Sequence, residues 1–366
     1  MADENSVNEV LLVIGDQQRK ISGWNNVRIT RGIERLPSDF NLTLTEKYPG
    51  VADVVVNAGD PFQLFLGADV VMTGYVDTLT DGFDAQAHTV AAAGRSKCSD
   101  LVDCAAEWPG MQIVNSDLAQ IATQLAVPYK GLGVQCDLTD LPKVQQLNIL
   151  LGETPWSIIE RVSRFSASLA YDNAAGDLVL ARVGTTEAAS GFEEGGNVES
   201  ARTVFSMLDR FSEYMAVQQA LDMLSDLSGG SLNVITKVTD GGVARRRQRV
   251  IIAENLSASG LAITEQRAVW EMNRRIARGA AVQLTTDSWR DAAGQLWEPN
   301  TLARVHLPTL KVWESQLLIG EVTYRLDDEG EHADLLLMPP DAFAPQPFLL
   351  QPQFADVLGT DVRGIQ

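Results

Sequence analysis

The chain has 366 residues, 45% of them apolar and 21% charged, and a formal net charge of −19. The length exceeds what one hydrophobic core usually organises, so several domains are expected, and the apolar share excludes a wholly disordered chain. With 29 Lys and Arg against 48 Asp and Glu, general nucleic-acid binding is disfavoured, because attraction to phosphate needs a basic surface.

Met1 to Asn8 is polar and acidic and lacks the apolar centre of a secretory leader. No stretch approaches the ~20 uninterrupted apolar residues of a membrane span, and the expectation is a protein made and folded in the cytoplasm. From there to about Gly94 the pattern is β. Val10, Leu12 and Ile14 alternate with their neighbours and meet a turn at Gly15-Asp16. Phe40, Leu42 and Leu44 alternate again, Pro61 opens the run Phe62 to Leu66, and Val70–Val76 and His88–Ala92 flank a turn at Asp81-Gly82. Short strands divided by Gly, Asp and Pro predict a small antiparallel barrel or sandwich.

The period then changes. Ser116 is a candidate cap for a helix with Leu118, Ile121, Ala122 and Leu125 on one face, ending before Pro128. Thr154 and Pro155 open a second helix, whose apolar stripe reads Ile158, Val162, Phe165 and Leu169. Asn173-Ala174-Ala175-Gly176 then joins two short strands as a hairpin. Thr185 to Ser200 is poor in large apolar residues and reads as a linker. Strands are expected at Val234–Val238 and Val250–Ala253, and a helix from about Ala262 to Arg278 carries an i,i+4 pair of Glu271 and Arg275. Strands resume at Ala280–Leu284, Leu302–Leu307, Leu317–Tyr324 and Ala333–Leu337. Beyond Pro339, prolines exclude regular helix or an inner strand.

The expected fold class is therefore mainly β with an α+β insertion: two barrel-like β domains plus a smaller α+β domain. Residues 1–95 form the first β domain, with strands near 201–230 as candidates to complete it. Residues 96–200 form the insertion and linker, 201–340 the second β domain with one helix, and 341–366 an extended tail.

No constellation of catalytic residues emerges, and no catalytic, cofactor-binding or metal residue is assigned. His88, His306 and His332 lie far apart in sequence, and no HExxH, P-loop or GxSxG pattern occurs. Gly131-Leu132-Gly133 lacks the third glycine of a dinucleotide fingerprint. Cys98, Cys104 and Cys136 have no CxxC spacing and read as reduced thiols. Glu193-Glu194 and Asp327-Asp328 lie in polar loops, where carboxylates are usually solvated. The run Arg245, Arg246, Arg247, Gln248, Arg249 is the one concentration of positive charge: a solvated loop, a contact for an acidic protein partner, or a nucleic-acid site. Trp289, Trp297 and Trp313 read as core aromatics locking a Gly-containing hairpin. In the tail, Phe348, Leu349, Leu350 and Phe354 are too apolar for a purely solvated linker and are candidate partner contacts.

Five runs carry a resemblance by their order: GRSKCSDLVDCAAEWPG (Gly94 to Gly110), GETPWSIIERVSR (Gly152 to Arg164), AVWEMNRRIARG (Ala268 to Gly279), DAAGQLWEPN (Asp291 to Asn300) and LLIGEVTY (Leu317 to Tyr324). The chain from about Val10 to Phe343 resembles the baseplate hubs of Mu-like contractile phages. More distantly it resembles the hub of T-even phages and the N-terminal part of type VI secretion spike proteins. The resemblance implies a homotrimer whose two barrel domains per subunit make a pseudo-sixfold ring between the tail tube and a spike. It also implies placement in the virion baseplate, contacts with a tail spike protein and with tube or adjacent baseplate proteins, no cofactor, and a channel that DNA crosses without specific binding. The chain stops at Gln366 without a β-helical needle, so the resemblance implies that the needle is a separate protein. A tail-associated cell-wall hydrolase and a soluble carbohydrate- or protein-binding β module are the alternatives.

Overall fold

A computed structural model describes residues 9–15, 19–46, 56–83, 88–218, 234–253 and 260–345. The first part is an antiparallel sheet of β1 (Val10–Ile14), β2 (Arg19–Ile21), β3 (Asn26–Gly32), β4 (Asp39–Glu46), β5 (Pro61–Leu66), β6 (Asp69–Phe83) and β7 (His88–Ser96). Their spatial order is β3-β4-β7-β6-β5-β1-β2. The two-residue period decides which side is buried: Val10, Leu12 and Ile14 pack with Phe62, Leu64 and Leu66 in one core. Gly94 in β7 is required by close approach, because a Cβ there would sit 2.6 Å from the Tyr75 carbonyl oxygen and 2.7 Å from the Phe40 ring.

The insertion has its own core. It comprises α1 (Ser99–Asp103), β8 (Gln112–Ser116), α2 (Leu118–Ala126), β9 (Val134–Cys136), β10 (Val144–Asn148), α3 (Pro155–Phe165), β11 (Leu169–Asp172) and β12 (Leu178–Ala181). The cap of α2 is Asp117, not Ser116. Asp117 accepts from the Gln120 amide while the Gln120 side chain accepts from the Asp117 amide, a reciprocal capping box. Ser116 is instead the last residue of β8, opposite Val144. Thr154 caps α3 as expected, accepting from Ser157 N at 3.2 Å. The buried face of α3 is Ile158, Ile159 and Val162, whereas Phe165 is half-buried. Leu169 leaves the expected stripe because the helix stops at Ser166, Ala167 turns through a positive φ of 50°, and Leu169 opens β11. Cys98 is buried in this core, and burial pushes its thiol well above its usual pKa; all three cysteines are free.

The remaining elements are β13 (Phe192–Glu193), β14 (Val198–Phe205), β15 (Glu213–Gln218), β16 (Val234–Thr239), β17 (Gln248–Ala253), α4 (Gly260–Arg278), β18 (Ala280–Thr286), β19 (Leu302–Leu307), β20 (Val312–Asp327) and β21 (Gly330–Met338). The segment 185–200, expected as a linker, is largely structural. β13 pairs in parallel with β19, β14 pairs with β18, and Phe192 is buried with its ring 4.4 Å from Trp297. β15, β16 and β17 do not join the large sheet, although the sequence grouped β16 and β17 with the second β domain and offered the strands near 201–230, where β15 lies, to complete the first. They form a separate three-stranded sheet, and Tyr214, Ala216 and Ile251 pack with Ala268 of α4.

The other strands of this part join the first part in one 13-stranded sheet, because β20 pairs antiparallel with β3 over Val27–Gly32 and Glu321–Leu326. Among the described residues the ladder is open, with β14 and β2 at its ends, and a branch in which β19 pairs with β20 and β13 with β19. The fold is mainly β with small helical insertions, and among the described residues no helix is long and apolar enough to cross a membrane.

Asp172 fastens the insertion to the sheet. Its buried carboxylate accepts from Ser38 N at 2.8 Å, from Ser38 Oγ at 2.6 Å and from Ser96 Oγ, so β11 is tied to the start of β4 and the end of β7. Truncating one side of such a buried network leaves donors unsatisfied, and Asp172→Ala should cost about 3 kcal/mol in urea unfolding. Ile158→Ala should cost about 2–5 kcal/mol, and more than Phe165→Ala despite the smaller volume removed, because only Ile158 is fully enclosed. Equal melting temperatures for Ile158→Ala and the parent would contradict this core.

Candidate assembly surface

The basic run lies between β16 and β17, and its four arginines are not equivalent. Arg247 donates to the Met207 and Leu208 carbonyls, both at 2.7 Å, and its guanidinium lies 4.7 Å from the centre of the Phe211 ring. Arg249 and Arg275 approach the same ring, and Arg275 pairs with Glu271 at 2.7 Å. Arg210 and the buried Asp240 form a two-pronged pair at the turn just before the run. Arg247 therefore stitches the loop to the chain that leaves β14, and Arg249 joins the acid-balanced cluster. Arg245 and Arg246 are exposed. The backbone carbonyls that hold Arg247 come from forty residues away, a contact that charge patterning does not signal.

The small sheet carries an unexpected apolar surface. Its buried side faces α4, and alternation puts the intervening residues on the opposite side. In register these are Met215 beside Val250, and Val217 beside Ile235 and Ile252. Ile252 is 79% exposed, and Ile235 and Val250 are each about half exposed. Phe205, Met207 and Leu208, in the segment joining β14 to β15, are also exposed. Lys237, opposite Met215, shares this side and pairs with Glu213 at 2.9 Å, and the apolar part around Val217, Ile235 and Ile252 lies beyond that pair. An exposed apolar sheet face of this kind is characteristic of a surface that assembly covers. The signal was present in the alternation of β15 and β17, but it reads equally as the inside of a barrel.

The tryptophans separate. Trp289 and Trp297 are buried, and the turn between them closes where Arg290 faces Leu296. Trp289 Nε1 donates to the carbonyls of Arg325 and His332, both at 3.0 Å, which fixes this hairpin on the β20–β21 ladder. Arg290 reaches back to Asp69 and the Leu66 carbonyl and so ties the hairpin to the β5–β6 turn. Trp313 is 63% exposed and is not a core residue.

The chain leaves the described structure beside α4. Phe343 is buried against Gly320, where β20 bulges, and Trp270 Nε1 and Arg274 both donate to the Ala344 carbonyl. A groove of about 330 Å³, lined by Ile33, Trp156, Leu169, Trp270, Phe343 and Pro345, runs from this point toward α3. Phe348, Leu349, Leu350 and Phe354 lie outside the described residues. The histidines stay apart: His306 faces Glu314, His332 faces Glu199, and His88 faces Asp81.

These roles predict a split within the basic run. Arg247→Ala should lower stability by about 1–2 kcal/mol, whereas Arg245→Ala and Arg246→Ala should stay within about 0.5 kcal/mol of the parent. Chemical denaturation of the three variants checks this, and a fully stable Arg247→Ala would show that the stitch is ornamental.

Comparison with known sequences and structures converges on one group. Residues 9–96 match the Mu phage baseplate assembly protein GpP-like N-terminal family, residues 98–182 the second domain of gp44-like baseplate hub proteins, and residues 260–346 the fourth domain of the Mu phage baseplate assembly protein GpP. The chain is 32% identical to the baseplate hub protein gp44 of Escherichia phage Mu over 335 residues, covering 89% of this chain and 86% of that protein. The crystal structure of the 43 kDa tail protein of prophage MuSo2 from Shewanella oneidensis superposes with a TM-score of 0.80 at 29% identity, over 92% of this chain and 99% of that one. A tail protein from Neisseria meningitidis MC58 shares the fold with a TM-score of 0.74 at 17% identity, over 93% and 99% of the two chains.

Proposed function

Because the chain belongs to the Mu phage baseplate hub family, in which it has a structural role in the tail baseplate, we propose that three copies form a ring joining the tail tube to a central spike. The observation that carries this reading is the open 13-stranded sheet, in which two β parts of one chain are fused edge to edge through β3 and β20. Three such chains present six β parts around an axis, a threefold object matched to a sixfold tube. The end strands β14 and β2 of the described ladder and the apolar face around Ile252 are the surfaces that neighbouring copies cover.

The ring acts by shape and charge, without catalysis. Three chains sum to 3 × (−19) = −57, a field that repels DNA from the walls of a channel. Assembly takes place in the host cytoplasm, where the ring meets the spike and tube proteins.

Light scattering at micromolar concentration should report three copies, and Ile252→Asp, at a side chain with little role in folding, should lower the trimer fraction without lowering the monomer's melting temperature. A chain that stays monomeric at every concentration with tail partners added would overturn the ring. Duplex DNA should show no measurable affinity at ~150 mM salt, and tight salt-sensitive binding lost in Arg245→Ala with Arg246→Ala would contradict the repelling channel.

A further inference from the structure

The β20–β21 turn brings together three groups that the hub reading does not use. β20 ends at Asp327, β21 begins at Gly330, and Glu329 lies in the turn between them. His332 sits opposite Arg325 in the ladder. One donor atom from each of Asp327, Glu329 and His332 lies within 4.8 Å of the other two. Carboxylates in a turn are ordinary; the histidine is not.

His332 is 8% exposed, and its two ring nitrogens have different surroundings. Nδ1 lies 2.7 Å from Glu199 Oε2 of β14. A carboxylate can only accept from it, so Nδ1 carries the proton and Nε2 is the nitrogen left for a ligand. Nε2 is buried and has no hydrogen-bond partner. It is 4.0 Å from Asp327 Oδ1, too far for a hydrogen bond. A buried ring nitrogen without a hydrogen-bond partner therefore faces a carboxylate oxygen. The arrangement of carboxylate, imidazole and unpartnered nitrogen is the one that orients metal-binding histidines.

We infer that Asp327, Glu329 and His332 bind a divalent transition-metal ion, with Glu199 as the positioning residue behind the imidazole. One nitrogen and two carboxylate oxygens, with water completing the set, suit Zn²⁺ better than Ca²⁺ or Mg²⁺, which favour oxygen alone. Local charge agrees with a dication. Arg325 engages Asp334 Oδ2 and Asp327 Oδ2, Glu199 faces His332 Nδ1, and Asp327 Oδ1, which accepts from the Glu329 amide at 2.9 Å, lies toward the histidine. The bound ion would pin the hairpin turn, through His332 and Glu199, to the edge strand β14.

The test uses the full chain after chelator treatment, titrated calorimetrically with Zn²⁺ and followed by absorption with Co²⁺. One equivalent per chain is expected at micromolar metal, with visible Co²⁺ bands that shift when His332→Asn removes the nitrogen ligand. Glu329 is exposed, so Glu329→Gln should keep the metal-free melting temperature while weakening Zn²⁺ by about tenfold or more. Absence of uptake by the parent, or uptake unchanged in both Glu329→Gln and His332→Asn, would overturn the assignment and leave His332 as a plain partner of Glu199.

Discussion

The pairing of β3 with β20 is the constraint on which the rest of the molecule depends. It joins residues nearly three hundred positions apart, so the chain between them must be ordered before or together with it, at a real loop-closure cost. The intervening units meet this cost by fastening both sides of the seam. Asp172 binds the start of β4 and the end of β7, next to β3. Asn300 holds Gly184 N through its Oδ1 and donates to the Arg182 carbonyl and the Tyr171 hydroxyl, which clamps the insertion to the approach to β19. Arg290 spans from the tryptophan hairpin to the β5–β6 turn. Thr30 and Thr323, facing each other across the seam at 3.0 Å, close it with a side-chain hydrogen bond. One apolar core then runs beneath both β parts without a break.

This design has a consequence for function. The two β parts share one ladder and one core, which suits a structural part of a tail baseplate. The basic residues agree with that economy: Arg31, Arg247, Arg274, Arg278 and Arg290 are each spent on an internal carboxylate or carbonyl. The chain as a whole keeps an acidic excess, with 48 Asp and Glu against 29 Lys and Arg.

Much of the local structure was legible in the sequence because it is set by neighbours. Thr154-Pro155 opened a helix, Asn173 to Gly176 made a hairpin, and the alternation of Val10, Leu12 and Ile14 named a buried strand face. What failed did so for identifiable reasons. Residues 185–200 look like a linker because β13 is two residues long and needs only Phe192 as its anchor, while β14 is an edge strand that buries little. β15 and β17 run parallel and pair out of chain order, and no two-residue period encodes which sheet a strand joins. Ser116 and Asp117 are both capping residues, and only the register of β8 decides between them. At the surface, Arg247 was visible as charge but not as a stitch, since its partners are backbone carbonyls. His332 was dismissed as solitary because its companions are acids in the adjoining turn and on a distant strand. The resemblance carried by the five ordered runs reached the family, and the family comparison agrees with it.

An image reconstruction of the assembled ring tests the account most directly. It should show three chains, with the β1–β7 part and the β18–β21 part of each alternating at equal radius around an open channel and the β3–β20 seam intact within every subunit. A ring of any other copy number, or one in which the two parts sit at different radii or exchange the seam between subunits, would contradict it.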